Sequence, residues 1–223
     1  MFKAMVSKEL RETVGIAALA LAAYAVVVLS QTGISLLPWL TPSYPDDRIG
    51  PVPFVSDGFL YGFAWVSVPF AVVLGFVQTA VESARGTWLF LLHRPASRRR
   101  ILTVKLLTGG GLYLACAALP ILIYMGWAAS SGRHASPFKA SMTLGAWLVW
   151  LSVGGLYLGA FLAGIRPGRW FGSRLFPVLA AALLVVAIQV VPWWWTVGLG
   201  ATLALGAWLV VDIFFIARTR DFS

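Results

Sequence analysis

Charge is scarce in this chain. Of its 223 residues, 17 are Lys or Arg and 8 are Asp or Glu, 11% charged in all, where soluble domains carry about 25%. Apolar residues make up 60%, and the mean hydropathy is +0.85. One soluble core of this size does not hide so many apolar side chains. The composition therefore excludes an ordinary cytosolic enzyme, a disordered chain and a nucleic-acid-binding domain. Cysteine is nearly absent as well. Cys116 stands alone, which excludes a disulfide framework and any cysteine-based zinc or iron–sulfur site within one chain. The two histidines, His93 and His134, fall in segments expected on opposite sides of a membrane, so they share no metal. Neither His-Glu-x-x-His nor Gly-x-Ser-x-Gly occurs.

What is present is a series of long charge-free runs. They lie between Glu12 and Asp46, Asp57 and Glu82, Lys105 and Arg133, Lys139 and Arg166, and Arg174 and Asp212. A bilayer-crossing helix needs about 20 apolar residues. The first run holds one span followed by a proline-punctuated stretch, and the last holds two, divided at Pro192-Trp193-Trp194-Trp195. The expectation is an all-α polytopic membrane protein, one domain over 1–223, with six transmembrane helices near 14–30, 58–81, 102–125, 141–165, 175–191 and 196–216. The first span is read as retained rather than cleaved, because no small-x-small site stands at its outer end.

The loops give the orientation. Lys3, Lys8, Arg11, Arg85, Arg94, Arg98, Arg99, Arg100, Lys105, Arg166, Arg169, Arg174, Arg218 and Arg220 fall on one side, and Arg48, Arg133 and Lys139 on the other. Fourteen basic residues against three put both termini in the cytoplasm. The formal charge of +9 is thus a topology signal and an attraction to anionic lipid heads, with no nucleic acid required.

Within the spans, chemistry is sparse. Asp212 is the one acidic residue there and is expected to pair with a nearby arginine. Gln78 and Gln189 are read as helix–helix hydrogen-bonding groups rather than substrate contacts. Gly109-Gly110-Gly111 lacks the Gly-Lys-Ser/Thr of a phosphate loop, so close helix packing is its expected role. Gly155, Gly159, Ala160 and Gly164 repeat the small-xxx-small spacing that lets helix backbones approach. Pro69, Pro120 and Pro177 are expected to kink their helices, and Trp193 to Trp195 to form an interfacial belt. The chain by itself is expected to be no enzyme and to hold no cofactor.

The informative stretch is cytoplasmic and runs from Glu82 to Lys105. Thr87 to Leu92 form a short amphipathic helix along the membrane face in this reading. Pro95 stops it, and Ser97 caps the next helix ahead of Arg98, Arg99 and Arg100. On composition alone this would be a solvated basic loop anchored at lipid heads. Its order and spacing, however, closely resemble the signature of ABC-2 type transporter permeases. That signature has a Glu after the second span, Gly-Thr, a run of leucines, Pro-x-Ser-Arg, then Ile and Lys opening the third span. Glu82, Gly86, Thr87, Leu91, Leu92, Pro95, Ser97, Arg98, Ile101 and Lys105 fill those positions. Lys8-Glu9-Leu10-Arg11-Glu12 looks like the short amphipathic elbow helix that opens such permeases, and the Arg218–Phe222 tail is similar to theirs.

The resemblance implies a permease subunit, an exporter by its closest signature, that dimerises with a second copy or a paralogue. A separate cytoplasmic ABC ATPase would power it, carrying the ATP and Mg that this chain lacks. Glu82, Arg85, Gly86, Thr87, Leu91, Leu92, Pro95, Ser97, Arg98, Arg99, Arg100 and Lys105 would form the coupling element that docks on that ATPase. Glu82 and Arg85 would brace helix ends by charge, Pro95 and Ser97 would set the turn, and Arg98 to Arg100 would face the partner or lipid heads. Two departures stand out: the link between the last two spans is short, and the proline-rich 31–57 loop is long. Two other readings share the span plan, a haem-exporter-like permease of cytochrome c maturation and a non-transporting membrane scaffold subunit.

Overall fold

The computed structural model describes residues 2–34, 52–84, 97–130, 137–166, 173–190 and 195–219. Among these residues the chain is all-helical: α1 (Phe2–Gln31), α2 (Phe59–Ala84), α3 (Arg98–Ala128), α4 (Leu144–Ile165), α5 (Phe176–Val190) and α6 (Trp195–Thr219), with a single 3-10 turn at Ala140–Thr143 ahead of α4. Five of the six are long and apolar enough to cross a membrane. The helix α5 has 15 residues, about 22 Å of rise, against a hydrocarbon core of about 30 Å. The expected span positions coincide with these helices, and the chain is a multi-pass membrane protein by length and composition.

The expectation for the N-terminus changes. Lys8 to Glu12 do not form a separate elbow, since α1 runs unbroken from Phe2 through Gln31. The cause is visible on its inner face. Glu9, Thr13, Ala17, Ala20, Tyr24 and Val28 follow one another at helical spacing, and all are buried. A kink after Glu12 would pull the first two off the stripe that the rest of the bundle covers.

The helix α4 is the centre of the bundle. Of its most apolar stretch 72% is buried, against 17–39% in the other four long helices. Its small residues make this possible. A Cβ on Gly159 would sit 2.8 Å from the carbonyl oxygen of Pro177, and one on Gly164 would overlap the Thr79 side chain. The expected close approach through Gly159 and Gly164 is therefore made inside one chain, toward α5 and α2. Gly155 differs, since a Cβ there meets nothing within 4 Å. Pro69 and Pro120 lie inside α2 and α3. Pro177 is instead the second residue of α5, where a missing N–H costs nothing and the helix starts rather than bends.

In lipid, polar groups must find partners inside the protein. Two buried tyrosine hydroxyls cross between helices, Tyr24 to Ser67 at 2.7 Å and Tyr113 to the Trp150 carbonyl at 2.9 Å, while those of Thr13, Thr79, Ser152 and Thr202 return to carbonyls of their own helices. At the end of the bundle away from the Arg98–Arg100 turn, Asp57 organises the approach to α2. Its carboxylate accepts from the N–H of Phe54 at 2.9 Å and of Phe59 at 3.1 Å, and from the Tyr124 hydroxyl. Phe54 stands at φ 64, a left-handed backbone uncommon outside glycine. Its ring packs against the stacked pair Phe59 and Tyr124, with centroids at 5.0 and 4.8 Å.

Candidate functional site

The basic end of the bundle carries the sequence-predicted site. Arg85, Gly86, Thr87, Leu91, Leu92 and Pro95, and with them the expected coupling helix, lie outside the described residues. Glu82 is in the last turn of α2, with its side chain also outside them. Past Pro95 the expected cap is present: the Ser97 hydroxyl accepts from the Arg100 N–H at 3.4 Å, from an extended backbone at φ −62 and ψ 141. Arg98, Arg99 and Arg100 follow as an exposed first turn of α3.

Lys105 does not share that exposure. It is 1% accessible, and its ammonium lies 2.7 Å from a carboxylate oxygen of Glu9 on α1. It also donates to the Gln78 carbonyl of α2 at 3.2 Å, while the Gln78 amide nitrogen donates back to the Lys105 carbonyl at 3.2 Å. The Tyr157 hydroxyl of α4 donates to the Gln78 amide oxygen at 2.8 Å. Four helices thus meet in one buried polar lock. Gly109 leaves the room for it, because a Cβ there would collide with the Gln78 amide and the Tyr157 hydroxyl. The helix–helix role expected of Gln78 holds, as does the packing role of the triple glycine at its first member. Glu9 and Tyr157 were not singled out by sequence reasoning.

A second ion pair closes the same end. Arg166 reaches Asp212 of α6 at 3.1 Å, the arginine partner expected for that residue. Arg174 donates to the carbonyls of Ala163 and Gly164 at 2.8 and 3.1 Å, capping the C-terminus of α4. Its partial burial lowers its pKa from the ordinary guanidinium value, yet a guanidinium stays charged.

Toward the opposite end, α2 and α5 leave an apolar groove of about 820 Å³ that includes Tyr61, Trp65, Pro69, Val72 and Val185. Tyr61 and Trp65 meet edge to face at 5.9 Å and are mostly exposed. Gln189 stands at its rim, exposed, and among the described residues its amide makes no hydrogen bond, so it differs from the helix–helix role expected of it.

A buried lock and an ion pair tie helix ends together at the basic end, and open apolar grooves lie along the flanks. Comparison with protein-family models, with curated proteins and with solved structures finds no match.

Proposed function

We propose that the chain is the permease subunit of an ATP-driven ABC transporter of the ABC-2 type, an exporter, powered by a separate cytoplasmic ATPase. In this reading α5 completes six spans, both termini are cytoplasmic, and the membrane is the cell (inner) membrane. A second copy or a paralogue completes the pathway, and the α2–α5 groove offers a largely apolar face for it.

The observation that carries the reading is the Glu82–Lys105 block and its attachment. Its residues follow the permease signature in order and spacing. Its two flanking helices, α2 ending at Ala84 and α3 starting at Arg98, are bonded to each other through Gln78 and Lys105. A push on the intervening segment would reach both helices together, and through Glu9 would reach α1. A loose lipid anchor has no need of such a weld.

Purification tests this directly. The tagged chain, extracted gently from its native membrane, is expected to bring an ATP-hydrolysing subunit with it. The chain stripped of that subunit is expected to show only background turnover, because it has no phosphate loop. A scaffold would bring no ATPase, and turnover by the stripped chain would refute the division of labour.

A further inference from the structure

On the flank formed by α3 and α6, two cavities run end to end and share Val210 and Val211. The one at the basic end, about 460 Å³, is walled by Arg99, Thr103, Phe214, Phe215 and Arg218. The one deeper in the bundle, about 510 Å³, is apolar and floored by Gly110, Gly154, Gly155 and Gly206. We propose that this continuous groove binds one anionic phospholipid of the basic-side leaflet, with its phosphate between Arg99 and Arg218 and an acyl chain along the glycine floor.

Three observations select that occupant. The first is length. From Arg99 to Leu114 the groove follows fifteen residues of α3, about 22 Å, and half a bilayer with its headgroups measures about 20–22 Å. The second is charge. Arg99 and Arg218 are exposed, and among the described residues neither is paired with a carboxylate. Arg98 to Arg100 also crowd the first turn of α3, where the helix dipole disfavours cations and favours an anion. A phosphate accepts the fork of a guanidinium well.

The third is shape. A Cβ on Gly155 would meet nothing within 4 Å, and one on Gly206 nothing nearer than Leu158 at 3.9 Å, so the floor is open at these two positions, while Gly110 and Gly154 lie against the Tyr157 and Tyr113 rings at 3.4 and 3.5 Å. A soluble anion would leave the apolar half empty. The site stands whether or not the chain transports anything.

Native mass spectrometry of the full chain, titrated with phosphatidylglycerol or phosphatidylcholine in a mild detergent, tests the site. The wild-type chain is expected to retain one phosphatidylglycerol in preference to phosphatidylcholine. Arg99→Gln with Arg218→Gln is expected to cut that preference about thirtyfold, the effect of two charges near a membrane surface. Lys3→Gln with Arg11→Gln removes as much charge from the same end and is expected to leave the preference intact; an equal loss in both pairs would mean diffuse attraction and would overturn the site. Gly206→Leu, which adds bulk to the floor without changing charge, is expected to lower retention of both lipids about tenfold. Unchanged retention, or displacement of the lipid by an excess of inorganic phosphate, would overturn the acyl-chain assignment. All four arginine and lysine positions are exposed, so these variants do not hinge on the fold.

Discussion

Lys105→Met is expected to destabilise the protein by about 3–5 kcal/mol, the range for removing one member of a buried ion pair. The substitution keeps most of the apolar stem and removes the ammonium. Glu9 then stays buried without its 2.7 Å partner, and the Gln78 carbonyl loses a donor. In a chain of this size the apparent Tm should fall by about 10 °C or more. The double variant Glu9→Met with Lys105→Met is expected to recover at least half of the loss, because no charge is left stranded. Heat-induced loss of the monodisperse peak in detergent reads both. A double variant less stable than Lys105→Met alone would show that the pair is not the source of the cost.

Gly75→Ala carries the other large expected loss, about 3 kcal/mol. The added methyl would stand 2.7 Å from the Tyr157 carbonyl oxygen, 2.8 Å from the Ala160 Cβ and 2.9 Å from the Phe161 nitrogen. None of these is the far end of a flexible side chain. The helices α2 and α4, whose interface is the most extensive in the bundle, must move apart. Gly111→Ala is the matched control, since a Cβ there meets nothing within 4 Å. It is expected to be neutral, or stabilising by up to about 1 kcal/mol through helix propensity. The same thermal assay separates them, and equal behaviour of the two variants would contradict the close α2–α4 approach.

Much of this architecture was legible because it follows from composition. Charge-free runs bounded by Glu12, Asp57, Glu82, Lys105, Arg166 and Asp212 locate the helices, and the structure moves most ends by only a few residues. Two polar contacts were legible too: Ser97 caps as its position before three arginines suggested, and Asp212 finds an arginine, Arg166. What was not legible depends on which way a helix faces. Lys105 reads from its neighbours as one more cytoplasmic cation, and only the partner Glu9, 96 positions away, makes it an interior group. A signal for Glu9 existed in the run Glu9, Thr13, Ala17, Ala20, Tyr24, a stripe of small or hydrogen-bonding residues that continues into the span. Tyr157 had no such signal, because its role is set by Gln78 and Gly109 on two other helices. Gln189 shows the converse: a lone amide in an apolar helix bonds across helices only if a neighbour covers it, and here the neighbouring face is an open groove.

The central claim is that the Glu82–Arg100 segment couples these helices to an ATPase, and two single substitutions test it. Glu82→Ala makes the segment more basic and Pro95→Leu leaves its charge unchanged. A docking element read by shape and position should fail in both, losing the co-purifying ATPase and transport at equal membrane expression. A lipid anchor ranks the variants the other way, with only joint neutralisation of Arg98, Arg99 and Arg100 mattering, at about 1 kcal/mol per charge. Loss of the ATPase in both single variants is the result the coupling account predicts. Wild-type retention in both, with loss only in the triple-arginine variant, would contradict it.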